Sequence, residues 1–180
     1  MTMTTEIKEW EELSREIIFQ KYSKKVEKVM FRLPNGKEFD YYIKKEGPAV
    51  CGLPLTTDNK IILAKQYRPG PKKVVLELPG GYADTAIKPE ESMARELLEE
   101  TGYKGNVQLI TSCLDDAYST MERYCFVIKD CVKVAEPRWD EDEFIDIVLV
   151  DIDEFKKILR SGQMTDVEVG YLALDFLGMI

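Results

Sequence analysis

A helical pattern closed at both ends, residues 89–101, sets the architecture of this sequence. Pro89 is suited to a first helical turn, and Gly102 to the left-handed residue that follows a last one. Around it lie short β-prone runs. Residues 17–19 and 26–33 read as strands, and Pro34-Asn35-Gly36 turns the chain into 37–43 as a hairpin. The runs 49–55 and 60–67 are joined by Thr57-Asp58-Asn59, and 73–78 stops at Pro79-Gly80-Gly81. Further strands are expected at 107–110, 124–128 and 144–150, with closing helices at 152–160 and 167–177 around Ser161-Gly162. Many strands with only three helices predict a mixed α/β fold, a mixed sheet between helices with an N-terminal β arm. We expect the arm over residues 1–46 and the main domain over 47–180.

Composition narrows the function. The chain has 180 residues, 44% hydrophobic and 32% charged, enough for one core and too ordered in composition for collagen or disorder. No apolar run approaches the ~18 residues that span a bilayer. The first residues lack the basic and apolar regions of a secretory signal, so the expected address is the cytoplasm. Cys51, Cys113, Cys125 and Cys131 form no C-x-x-C pair and read as small core residues. Histidine is absent, which excludes a histidine base, a Ser-His-Asp triad and the usual histidine-containing zinc sites. A net charge of -8 argues against a nucleic-acid partner. Lys65, Arg68, Lys72 and Lys73 nonetheless form a local basic stretch that could steer a small anion.

The chemistry concentrates in Arg95-Glu96-Leu97-Leu98-Glu99-Glu100-Thr101-Gly102-Tyr103. At 100° per residue Glu96, Glu99 and Glu100 share one face while Met93, Leu97 and Leu98 supply an apolar side. Like charges at i,i+4 destabilise a helix, so Glu96 and Glu100 call for a cation or for Arg95. Hard oxygen ligands at this density suit Mg²⁺ or Mn²⁺. A solvated acidic face is the commoner meaning of a Glu-rich helix, but it does not require Gly80-Gly81 upstream or the Gly102-Tyr103 ending.

Together these residues resemble the Nudix hydrolases, whose signature is G-x5-E-x7-R-E-U-x-E-E-x-G-U, with U a bulky apolar or aromatic residue. Gly81 holds the first position, and Arg95, Glu96, Leu97, Glu99, Glu100, Gly102 and Tyr103 match the second half. The signature glutamate falls at Ile87, with Asp84, Glu90 and Glu91 as nearby acids. Gln66-Tyr67-Arg68, Glu77-Leu78-Pro79-Gly80-Gly81 and Gly162-Gln163-Met164-Thr165-Asp166 resemble the branch that cleaves ADP-ribose and related nucleoside diphosphate sugars.

The resemblance implies Mg²⁺-dependent hydrolysis of a pyrophosphate bond, giving a nucleoside monophosphate and a phosphorylated product. It also implies a homodimer whose β arm contributes to the substrate site. By the same resemblance Glu96, Glu100 and the Gly80 carbonyl hold the metal, with Glu99 a ligand or its supporting partner and Arg95 orienting the glutamates. In the acidic segment 140–143, Glu141 is expected as general base and Glu143 as a further ligand. Gln66, Arg68 and Glu77 are placed at the substrate, since a guanidinium fork matches phosphate oxygens; the alternative is Arg68 pairing with Glu77 to pin two strands. A nucleoside triphosphate pyrophosphatase, or a nucleotide-binding module without catalysis because of Ile87, are the other readings.

Overall fold

The computed structural model describes residues 7–139 and 144–180. The chain divides into two compact units, residues 1–47 with 114–121, and residues 48–113 with 122–180.

The first unit is a three-stranded antiparallel sheet, β1 (Glu11–Lys21), β2 (Lys24–Arg32) and β3 (Glu38–Lys44), in that order. Its β2–β3 turn is the expected Pro34-Asn35-Gly36, with Gly36 at φ 81°, where an L side chain would be strained. Strand β1 begins earlier than residues 17–19 suggested, because its charged side chains pair across the ladder. Arg32 on β2 bonds Glu11 at 2.7 Å and Arg15 bonds Glu27 on β2, while Glu12 on the same strand steadies Arg15 at 2.7 Å. One face collects rings: Trp10 lies 5.3 Å from Tyr41, and Tyr41 stacks on Tyr118 at 6.3 Å. Lys44 N–H donates to the Tyr118 carbonyl at 2.8 Å, tying residues 114–121 to β3.

The second unit is an α/β/α sandwich. Its strands are β4 (Ala49–Thr56), β5 (Ile61–Arg68), β6 (Lys73–Glu77), β7 (Gly80–Tyr82), β8 (Tyr103–Leu114), β9 (Glu122–Lys133) and β10 (Ile145–Val150). They form one sheet in the order β10-β5-β4-β9-β8, with β6 also on β5 and β7 on β4. β4 and β9 run parallel while β4–β7, β5–β6 and β5–β10 are antiparallel, so the sheet is mixed as expected. Pro54, which cannot donate to a ladder, pairs with Ile128 just before the β4–β9 register slips, and Asp130 takes φ 57° within that slip on β9.

Alternation divides the core in two. Cys51, Leu53, Leu55, Ile61, Leu63, Cys125 and Val127 face α2 (Ile152–Ser161) and α3 (Val167–Phe176), joining Phe155, Leu159, Val169 and Leu174. Val50, Ile62, Phe126 and Ile128 face α1 (Pro89–Thr101) through Met93 and Leu97. Gly52 lets α1 approach: a Cβ there would lie 2.5 Å from Ile128 Cδ1 and 3.1 Å from Met93 Sδ. All four cysteines are free thiols, three of them buried. Burial pushes the thiols of Cys125 and Cys131 up to about 12. Among the described residues no helix is long and apolar enough to cross a membrane.

Candidate active site

Helix α1 carries Arg95, Glu96, Glu99 and Glu100, and its bounds are those the sequence implied, Pro89 opening it and Gly102 closing it at φ 76°. Its last turn holds two glutamates and no basic residue. Negative charge there opposes the helix dipole, and Glu96 and Glu100 repel at i,i+4. Such a local conflict in an otherwise consistent fold is a mark of function.

The glutamates are turned toward the Gly80–Gly81 strand. Glu100 Oε2 accepts from the Gly80 N–H at 3.2 Å. Gly81 is needed for close approach, because a Cβ on it would lie 2.6 Å from Glu96 Oε2. A Cβ on Gly80 would lie 2.3 Å from the Val50 carbonyl oxygen, so the strand must be bare on both sides. Strand β7 is fixed from behind by pairing Gly80 with Cys51 and Gly81 with Val50.

Arg95 reaches a different carboxylate with each of its three nitrogens. Nη2 donates to Glu96 Oε1 at 3.3 Å, Nη1 to Asp84 Oδ2 at 3.5 Å, and Nε lies 3.9 Å from Glu99 Oε2. Its desolvation works against the charge, but the Glu96 bond and the charges of Glu96, Glu99 and Asp84 outweigh it and raise its pKa.

The C-terminal carbonyls of α1 are met by residues 134–139. Arg138 N–H donates to the Glu99 carbonyl at 2.8 Å, Trp139 Nε1–H to that of Glu100 at 2.9 Å, and Val134 N–H to Gly102 at 2.9 Å. With Arg95, Glu96, Glu99 and Glu100, Ala135, Glu136, Arg138 and Trp139 line a cavity of about 590 Å³. Residues 134–139 escaped the sequence reading, because capping by a segment this far along the chain has no local signature. Glu141 and Glu143 lie outside the described residues.

Gln66, Arg68 and Glu77 come together on β5 and β6. Buried Glu77 accepts from Arg68 Nη2 at 2.6 Å and Nε at 2.9 Å, and from Gln66 Nε2 at 2.7 Å. The strand-pinning pair is thus present. The Arg68 pKa is raised chiefly by the Glu77 hydrogen bond, with smaller contributions from Glu100 and Asp166. Asp166, at φ 56°, pairs with Arg123 at 3.4 Å, and Arg123 also bonds Glu168. Burial raises the Asp166 pKa, with Arg123 and Thr165 acting in the opposite direction.

The donors around Glu96 and Glu100 are hard oxygens and fit a divalent cation by their chemistry. Among the described residues, no three His, Cys, Asp or Glu side chains already converge as a metal cage. The fit therefore rests on two carboxylates one turn apart beside a bare backbone strand.

Comparison with known proteins agrees with this geometry. The sequence profile of the NUDIX domain matches residues 45–166. The chain is 31% identical over 148 residues to an ADP-ribose pyrophosphatase of Bacillus subtilis (strain 168), covering 81% of this chain and 80% of that one. It is 30% identical over 150 residues to a methanol dehydrogenase activator of Bacillus methanolicus, covering 79% and 81%. The crystal structure of an ADP compounds hydrolase superposes with a TM-score of 0.83 at 21% identity, over 98% of this chain and 100% of the other, a likeness of fold. Nudix hydrolases generally use divalent metals. With the profile spanning most of the sandwich and the signature helix set against Gly80-Gly81, this chain belongs to the Nudix family.

Proposed function

We propose that this chain hydrolyses the pyrophosphate bond of ADP-ribose or a related nucleoside diphosphate derivative with Mg²⁺, releasing a nucleoside monophosphate and a phosphorylated remainder. The observation that carries this reading is the pair Glu96 and Glu100 turned onto the Gly80–Gly81 backbone beside a cavity of about 590 Å³. The likeness to a protein named ADP-ribose pyrophosphatase supports the substrate class.

Glu96, Glu100 and the Gly80 carbonyl, with Glu143, are the residues that would hold the cation, and Glu99 stands beside them. When bound, such a cation neutralises phosphate oxygens and acidifies water. Arg95 keeps the glutamates in place through its contacts to Glu96 and Glu99. Glu141 takes the proton from the attacking water, a task for a carboxylate in a chain without histidine. Arg68 is 46% exposed although Glu77 holds it, so part of its fork can meet a phosphate oxygen, with Gln66 and Glu77 fixing its direction. The protein acts in the cytoplasm as a homodimer joined through residues 1–46, whose exposed Ile17, Ile18, Phe19 and Tyr22 a three-stranded sheet leaves uncovered.

Ile87 favours a second reading, a nucleotide-binding module without catalysis. One assay separates the two. The chain is incubated with Mg²⁺ and ADP-ribose, other nucleoside diphosphate derivatives and nucleoside triphosphates, and the phosphate products are identified. We expect ADP-ribose to give AMP and ribose 5-phosphate faster than any triphosphate is cleaved. Nucleotide binding without product would support the module instead.

A further inference from the structure

The chain lacks an acid at position 87, and the structure shows which acid approaches Arg95 from the same loop. Among the described residues, three carboxylates surround the Arg95 guanidinium: Glu96 and Glu99 belong to its own helix, and Asp84 comes from the loop between β7 and α1. Glu90 and Glu91, the helix acids nearest Ile87 in sequence, lie in the first turn. Asp84 is itself held on several sides. Its N–H donates to the Oγ of fully buried Ser92 at 3.1 Å, its Oδ1 accepts from Ala86 N–H at 2.9 Å, and its carbonyl accepts from Ile87 N–H at 3.3 Å. One carboxylate oxygen thus closes the turn and the other is left to face Arg95.

We infer that Asp84 is a positioning residue: from three places upstream of Ile87 it supplies the loop carboxylate that holds Arg95 against Glu96 and Glu99. Without it, Nη1 loses its anion and the guanidinium can swing, taking the Glu96 and Glu99 carboxylates with it. Both partners are 40% exposed, so the pair adds little to stability, and its value is the direction it gives to the glutamates. This role rests on the hydrolase reading above.

Asp84→Asn isolates it, because the amide keeps an oxygen for Ala86 N–H while removing the charge. With ADP-ribose and Mg²⁺ we expect kcat to fall about 10 to 100-fold, the usual scale for a partner of a metal-holding side chain, with KM and melting temperature little changed. Binding of Mn²⁺ without substrate, followed by titration calorimetry, should weaken in parallel. Ile87→Glu added to Asp84→Asn should restore most of both, since it returns a carboxylate to the same turn. Native kcat and native Mn²⁺ affinity in Asp84→Asn would overturn the inference. So would a loss that comes with a lower melting temperature and is not rescued by Ile87→Glu. If the native chain cleaves no nucleoside diphosphate derivative, the functional reading fails, while the Mn²⁺ isotherms of the three proteins still decide the role of Asp84.

Discussion

Ile87 and Asp84 show how far residue identity alone can be read. Ile87 stood out because it breaks a spaced pattern, but spacing cannot say that a turn closed by Ala86 and Ser92 points Asp84 at Arg95. Glu96 and Glu100 were legible because a helical period puts them on one face, whereas their approach to Gly80 and Gly81 depends on β7 pairing with β4. The thiols give a prediction at this scale. Folded Cys125 and Cys131 sit at about 12 because burial disfavours the thiolate, against 9.0 for an ordinary thiol. A pKa raised by folding contributes stability that is complete below the unfolded value and is lost as pH rises toward the folded one. Urea midpoints should therefore be flat around pH 7–8 and fall as pH rises from about 9 to about 12. Replacing both cysteines with Ala should reduce that fall; an unchanged slope would show that other groups cause it.

Elements closed by local chemistry were the easiest to place. α1 begins at Pro89 and ends before Gly102 as the sequence implied, and α2 ends before Gly162. β7 was missed because Gly80-Gly81 reads as a turn, and it becomes a strand only through its partner β4. β8 and β9 run well past the residues 107–110 and 124–128 expected from apolar runs, since long paired strands need no apolar side chain at exposed positions. The two glycine caps make a matched test. Gly102 and Gly162 have φ 76° and 63°, so Ala at either costs about 1–2 kcal/mol for the left-handed backbone. At Gly162 a Cβ meets nothing within 4 Å, but at Gly102 it would lie 2.1 Å from the Ala135 carbonyl oxygen. Gly102→Ala should thus lose more stability in urea than Gly162→Ala, and it alone should impair hydrolysis, by displacing residues 134–139 from the end of α1. Equal losses with equal activity would show that this segment does not support the site.

At the scale of the whole molecule, the mixed sheet between helices was readable from the order of strands and helices, and the sandwich follows from alternation along β4, β5 and β9. The grouping of residues 114–121 with the arm was not readable, because the tie that makes it joins Lys44 to Tyr118, two positions far apart in the sequence with no local signature. Exposed Ile17, Ile18, Phe19, Phe39 and Tyr42 predict self-association through the arm. Light scattering should give about twice 20.7 kDa at micromolar concentration, and Ile18→Lys with Phe19→Lys should shift it toward 20.7 kDa. A mass of 20.7 kDa for the native chain throughout a concentration series would remove the dimer. The central claim is that the α1 carboxylates on the Gly80–Gly81 strand perform metal-dependent cleavage. Its most direct measurement is the initial rate of ADP-ribose hydrolysis by native protein and Glu100→Gln as Mg²⁺ is raised. Gln keeps an acceptor for the Gly80 N–H, so the melting curves should match. The native rate should saturate with Mg²⁺, and Glu100→Gln should stay more than about 100-fold lower, beyond the loss typical of an outer partner. Equal rates across the titration would contradict the account.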